Sequence, residues 1–173
     1  MILCSGGLQP AEATNCRPRE DECVIGPDTH ATARRLPHLS RTGKTYFVTF
    51  VTEKRYVLPP AARDVVFTRC MAMHGVEMCI HRLCVMPDHV HLLFTPADHS
   101  SLSHVMWRIK GGSSRSINRL LGRTGRLWQQ ESFDHIVRSD ESLCAKGDYI
   151  AQNPVRAGLV ADWSDYPWTF PAG

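Results

Sequence analysis

Residues 77–96, EMCIHRLCVM-PD-HVHLLFTP, constrain the fold more than any other part of the chain. Two runs rich in apolar and β-branched residues flank the pair Pro87 and Asp88. Such runs are typical of strands, and proline followed by aspartate is typical of a tight turn. The segment therefore predicts two neighbouring strands joined by a short turn.

The second of these strands carries two histidines with one valine between them. Successive side chains of a strand point to opposite faces of the sheet. Val90, Leu92 and Phe94 then form an apolar face, and His89 and His91 lie side by side on the other. One face is suited to packing in a core, and the other to polar chemistry.

Other segments predict a strand before this hairpin, a strand after it and three helices. They are a strand at 44–52, a helix at 58–75, a helix at 101–121, a strand at 132–138 and a helix at 139–154. Gly111 and Gly112 predict a kink in the second helix, and Pro154 predicts the end of the third. The element order is that of an α+β, ferredoxin-like (split βαβ) antiparallel sheet with one extra C-terminal helix.

Composition supports one folded domain with an N-terminal extension. Residues 1–40 lack periodicity, which predicts a poorly ordered extension, and residues 41–173 form the predicted domain. The seven cysteines form no CxxC pair, which favours reduced thiols over a disulfide or zinc scaffold. No signal peptide or transmembrane run is evident, so we expect a cytoplasmic protein without a membrane partner.

The histidine pair has two interpretations from the residues alone. It is either a metal site or a chance pair at the rim of a sheet, and a metal site needs further ligands. In the final helix, Tyr149 and Asn153 are four residues apart and share one helical face, while Gln152 is the alternative third ligand. Asp88 either orients a histidine or shapes the turn, and the turn is the preferred interpretation.

The charge pattern points to nucleic acid. Six cations and no Asp or Glu lie between residues 101 and 126; the cations are Arg108, Lys110, Arg115, Arg119, Arg123 and Arg126. A one-sign block of this kind favours phosphate binding over an ordinary solvated face. His104 and Trp107 are candidates for stacking on unpaired bases.

Four motifs together carry a family resemblance. MPDHVHLLF, LWQQESFDHIVRSDESL, DYIAQNPVRAGLV and DWSDYPWTF, in this order, resemble the REP-associated tyrosine transposases over about residues 41–170. Those proteins are relatives of the single-tyrosine, HUH-type transposases of insertion sequences. The extra C-terminal helix would then carry the nucleophilic tyrosine.

The resemblance implies a metal-dependent endonuclease and transposase for single-stranded hairpins of repetitive extragenic palindromes (REP), associated with the nucleoid. His89, His91 and Asn153 would hold Mg²⁺ or Mn²⁺, and Tyr149 would form a 5′-phosphotyrosine intermediate, with strand rejoining possible. The six cations would bind the DNA. The alternatives are a hairpin-binding protein that does not cleave, and an unrelated hydrolase that activates water at the histidines. Oligomeric state stays open, with a monomer preferred to a dimer.

Overall fold

The computed structural model describes residues 28–31 and 39–171. Seven strands and four α-helices lie in these residues. In chain order they are β1 (Asp28–Ala31), β2 (Leu39–Thr42), β3 (Thr45–Val51), α1 (Pro60–Met71), β4 (Met78–Val85), β5 (His89–Pro96), α2 (Leu102–Leu120), β6 (Phe133–Val137), α3 (Asp140–Ala151), α4 (Asn153–Arg156) and β7 (Thr169–Phe170). None of the described helices is long and apolar enough to cross a membrane.

The main sheet has five antiparallel strands in the order β6-β3-β5-β4-β7. The first four follow the split βαβ order, because β3 and β4, joined by α1, leave room for β5 to pair between them. The predicted ferredoxin-like class is confirmed. The edge strand β7 was not predicted; with two residues, it is too short to give a periodic signal.

The larger core lies between one face of this sheet and the helices α1 and α2. It contains Val90, Leu92 and Phe94 of β5, none of them exposed to solvent, as the alternation in the sequence predicts. The helices contribute the buried residues Ala62, Val66, Cys70, Leu102, Val105, Ile109 and Ile117. Both helices are therefore fixed to the sheet face opposite the two histidines.

The histidine-bearing face is covered by α3. Ile150 of α3 packs with Phe47 of β3 and Leu93 of β5 in a second buried cluster. The chain after α4 completes this cluster, since the Tyr166 hydroxyl donates to the carbonyl of Val85 at 2.9 Å. The helix α3 is thereby held with its C-terminal end beside β5.

Several boundaries differ from the sequence prediction, and the helix predicted at 58–75 runs from Pro60 to Met71. The helix α3 ends at Ala151, and Pro154 lies in the first turn of α4 rather than at the end of a helix. Proline fits there because the first helical turn needs no amide donor. The strand β1 lies within the segment 1–40 that was predicted to be poorly ordered, and its partner β2 crosses the end of that segment. The rest of that segment lies outside the described residues.

The predicted kink at Gly111 and Gly112 is wrong, because α2 runs without interruption from Leu102 to Leu120. At Gly112 a side chain would overlap the guanidinium of Arg69 from α1, whereas a Cβ at Gly111 would meet open space. The missing side chain at Gly112 therefore serves the close approach of the two helices.

We expect Gly111→Ala to raise the free energy of unfolding by about 1 kcal/mol, because alanine is the better helix former. The matched variant Gly112→Ala should gain clearly less, since Arg69 has to move. Urea unfolding of both variants measures the difference. Equal gains would show that the Arg69 contact does not constrain this position.

Candidate active site

The two histidines of β5 converge through their outer nitrogens. Nε2 of His89 lies 3.1 Å from Nε2 of His91, and the ring planes are 83° apart. Only 5% of the His91 surface is exposed, while the His89 side chain is 19% exposed. A group from solvent can thus reach the pair from the His89 side.

Each histidine is held from behind through its inner nitrogen. Nδ1 of His89 lies 2.6 Å from Oδ1 of Asp88, and Nδ1 of His91 lies 2.8 Å from Oγ1 of Thr49. Thr49 is in position because it is the direct cross-strand partner of His91 in the β3–β5 register. Partners of this kind fix the orientation of an imidazole and turn its other nitrogen outward as a ligand.

Asp88 belongs to this arrangement and does more than shape the turn. Its second oxygen, Oδ2, accepts a hydrogen bond from Arg55 at 3.1 Å. Burial raises the pKa of Asp88, but hydrogen bonds and charges from His89 and Arg55 outweigh burial and hold that pKa below its ordinary value. Asp88 is therefore an anion placed to accept a hydrogen bond from Nδ1 of His89, which leaves Nε2 of that ring directed towards His91. The sequence favoured the turn role because Arg55 is distant in the chain.

The end of α3 brings Tyr149 and Asn153 to the same place. The Tyr149 ring lies 5.7 Å from the His91 ring and 6.2 Å from the Phe47 ring, between centroids, and is 40% exposed. Nδ2 of Asn153 donates to the carbonyl of Tyr149 at 2.7 Å. Of the two candidate amides, Asn153 is the one close enough to His91 to raise the pKa of that imidazole, and Gln152 occupies the C-cap position of α3.

Burial is the main reason that the pKa of His91 falls to about 4; the charge of His89 adds to it, and the hydrogen bond to Asn153 opposes it. His91 is therefore neutral in the folded protein at neutral pH, as a metal ligand must be.

This low pKa predicts acid sensitivity of the fold. Between the ordinary value of 6.5 and about 4, the unfolded chain protonates His91 and the folded chain does not. The free energy of unfolding is therefore unaffected by the protonation of His91 above pH 6.5. It falls by up to about 3 kcal/mol as the pH is lowered towards 4. Urea unfolding at several pH values measures it, and His91→Gln should flatten this part of the profile. An unchanged profile in that variant would contradict the assignment.

The donor set is compatible with a divalent metal ion that keeps several open coordination positions. Within the described residues, no group of three or more His, Cys, Asp or Glu side chains is placed to hold a metal. Two imidazole nitrogens and an amide oxygen leave the remaining positions to water or phosphate oxygens, which suits Mg²⁺ or Mn²⁺. The 3.1 Å between the two Nε2 atoms is close to the spacing of about 3.0 Å between adjacent octahedral ligands at about 2.1 Å from an ion.

The sequence profile of the IS200-like transposases matches residues 44–153, well over half of the chain. The match spans β3 to the first residue of α4 and so contains both histidines, Tyr149 and Asn153. The chain belongs to the IS200-like transposase family.

Curated relatives of this chain include a protein of Haemophilus influenzae named as a REP-associated tyrosine transposase. The two are 30% identical over 97 residues, covering 50% of this chain and 55% of the relative. The REP-associated tyrosine transposase of Escherichia coli is 29% identical over 91 residues, covering 52% of each chain. The aligned regions thus span about half the length of these relatives. The resemblance seen in the sequence motifs is confirmed.

Among solved structures, a REP-associated tyrosine transposase bound to a REP hairpin has the same fold. The TM-score is 0.63 at 23% identity, covering 81% of this chain and 82% of the other. This likeness supports the α+β architecture described above.

The predicted DNA-binding cations lie on α2 and the loop after it, and α2 is on the sheet face opposite the histidines. Three of them have partners within the protein. Arg108 pairs with Glu77, Lys110 donates to the carbonyl of Gln130 and to Ser132, and Arg123 lies over the ring of Tyr56. Burial also lowers the pKa of Lys110 to about 8. The structure does not bring these side chains to the histidine pair.

The other three cations, Arg115, Arg119 and Arg126, are exposed and form no hydrogen bond or ion pair within the described part of the chain. His104 and Trp107 lie on the same helix, with ring centroids 6.2 Å apart. His104 also lies 3.4 Å from Glu77.

Sequence reasoning missed Thr49, Arg55 and Phe47 at the site, because only strand pairing and the turn after β3 bring them there.

Proposed function

We propose that this protein is a metal-dependent endonuclease and transposase for single-stranded DNA that recognises REP-type hairpins and cleaves through a 5′-phosphotyrosine. One observation carries the proposal: a solvent-accessible tyrosine lies beside a converging histidine pair, with an asparagine one helical turn away. Membership of the IS200-like transposase family supports it.

The phenol of Tyr149 is the nucleophile. It attacks the scissile phosphorus, so that a bond forms between the tyrosine oxygen and phosphorus and the bond to the 3′ oxygen breaks. The phenol proton passes to solvent, which reaches the 40% exposed side chain, and the departing 3′ oxygen takes up a proton. Because one phosphodiester replaces another, the released 3′ hydroxyl can attack the phosphotyrosine and rejoin a strand without ATP.

The surrounding residues position this step. Phe47 and His91 contact two sides of the Tyr149 ring and restrict its rotation. Positioning and charge neutralisation are the main requirements of phosphoryl transfer. His89, His91 and Asn153 would hold Mg²⁺ or Mn²⁺, which neutralises charge on the scissile phosphate when bound. Thr49 and Asp88 keep the imidazoles turned towards it.

Three observations support the proposal that the protein recognises a hairpin. The curated relatives are named REP-associated tyrosine transposases, and a protein of the same fold is solved bound to a REP hairpin. The exposed cations Arg115, Arg119 and Arg126 can contact the phosphates of a duplex stem. Such a function would place the protein on nucleoid DNA in the cytoplasm.

The test is incubation with single-stranded REP hairpins of the host genome in Mn²⁺ or Mg²⁺, followed by denaturing electrophoresis. We expect a protein–DNA adduct that survives denaturation and a cleaved strand with a free 3′ hydroxyl. Tight binding with neither product would refute the nuclease and leave the hairpin-binding alternative. Cleavage without an adduct would favour the hydrolase.

A further inference from the structure

The edge strand β6 presents an exposed aromatic side chain on the face of the sheet that carries the candidate active site. Phe133 is 63% exposed. It is the cross-strand partner of Thr49, which is itself the partner of His91, so the three residues form one row across the sheet. His135, also exposed, continues the same face of β6 opposite Phe47.

Ring contacts connect Phe133 to the nucleophile. The Phe133 ring meets the Phe47 ring edge-on at 6.3 Å, and Phe47 stacks on His91 at 5.9 Å and meets Tyr149 at 6.2 Å, between centroids. Phe47 is 5% exposed, so it supports Phe133 from behind and leaves the outer ring face of Phe133 to solvent. The exposed ring is therefore available for a planar ligand to stack on it.

Positive charge lies beside the rings of Phe47 and Tyr149. Nζ of Lys146 is 5.1 Å from the centroid of the Phe47 ring, and the guanidinium of Arg156 is 5.4 Å from that of Tyr149. Aromatic side chains alternating with cations are typical of surfaces that bind single-stranded nucleic acid. A second copy of this chain would bring the same cations, whereas a polynucleotide brings the opposite charge.

We propose that Phe133, supported by Phe47 and extended by His135, is a stacking site for an unpaired base in the strand that flanks the scissile phosphate. The site rests on the proposed function, because that function supplies the single strand at Tyr149. The base leaves the hairpin stem and lies on the Phe133 ring, which fixes the register of the backbone relative to the phenol.

The test compares two probes in the Tyr149→Phe background, so that no cleavage occurs. One is a REP hairpin with a single-stranded flank on its 5′ or 3′ side that contains 2-aminopurine, and the other is the same hairpin without a flank. We expect the flank to increase affinity and its 2-aminopurine to be quenched. Phe133→Ala should weaken binding of the flanked probe by about 5- to 150-fold, the value of one stacked base, and leave the flankless probe unchanged. Phe133→Trp should retain the effect.

Two controls can overturn the site. Trp107, 66% exposed on α2, is the competing stacking residue on the other face of the sheet. If Trp107→Ala removes the contribution of the flank and Phe133→Ala does not, the base stacks on α2. If the protein is a dimer in solution and Phe133→Ala makes it a monomer, the face is an interface between copies. Either result refutes the proposal.

The experiment distinguishes failure of the proposed tyrosine mechanism from failure of the stacking site. None of these measurements depends on cleavage. A protein that forms no adduct with Tyr149 intact, but loses the flank contribution in Phe133→Ala, would refute the tyrosine mechanism and retain this stacking site.

Discussion

Tyr149→Phe will abolish the covalent protein–DNA adduct and reduce strand cleavage by at least about a thousandfold, while hairpin binding persists. The substitution removes one oxygen, the atom that is proposed to attack phosphorus. It leaves the ring that contacts Phe47 and His91. Denaturing electrophoresis measures the adduct, and fluorescence anisotropy of a labelled hairpin measures binding.

The fold should tolerate this change. The Tyr149 hydroxyl makes no hydrogen bond to any of the described residues, and the side chain is already partly exposed. Its loss therefore leaves no buried group unsatisfied, and the thermal unfolding midpoint should stay within a degree or two. A large loss of stability would mean that the lost cleavage reports folding and not chemistry.

Tyr56→Phe is the matched control, because Tyr56 lies outside the site under the guanidinium of Arg123. It should cleave at the wild-type rate. Cleavage that continues in Tyr149→Phe without an adduct would contradict the tyrosine mechanism and favour attack by water at His89 and His91.

The second large effect concerns the histidine pair. We expect His89→Ala and His91→Gln each to weaken Mn²⁺ binding by more than about 100-fold and to remove detectable cleavage. Each removes one of two converging Nε2 atoms, and the remaining imidazole cannot hold the ion alone. Electron paramagnetic resonance of Mn²⁺ in the presence of an uncleavable hairpin measures binding without reference to activity. His89→Ala is the safer variant for folding, since His89 is the more exposed.

Asp88→Asn provides an intermediate variant. The amide can still accept a hydrogen bond from His89 but lacks the charge that fixes its protonated Nδ1, so Mn²⁺ affinity should fall by about 10- to 100-fold. His99→Ala, an exposed histidine in the loop between β5 and α2, is the matched control and should bind as the wild type does. Unchanged Mn²⁺ binding in His89→Ala would show that the pair is not the metal site.

The hairpin of β4 and β5 illustrates what local pattern can predict. Its strands were predicted within one residue, because alternation of apolar side chains depends only on neighbouring positions. The same alternation placed His89 and His91 on one face, and helical periodicity placed Tyr149 and Asn153 together. The family motifs then linked the two pairs, and the profile match over residues 44–153 contains all four residues.

Residues that act through strand pairing or helix crossing were not predictable in this way. Thr49 reaches His91 through the β3–β5 register, and Arg55 reaches Asp88 across 33 positions in the chain. The glycine pair suggested a kink because the sequence does not show that Arg69 of another helix occupies the space beside Gly112. Cations such as Lys110 that looked free in the sequence have partners within the protein.

Local sequence pattern was enough to predict the order of the four strands β3 to β6 and the three long helices, the face of each side chain within its element, and the chemical types available to the site. These properties follow from the chain's local geometry, which repeats every two or 3.6 residues. The tertiary structure alone decided which faces meet: α3 covers the histidines, α2 and most of its charge lie behind the sheet, and Phe133 lines up with Thr49 and His91. Burial then set the protonation of His91, because desolvation depends on packing from every side and not on neighbours in the chain.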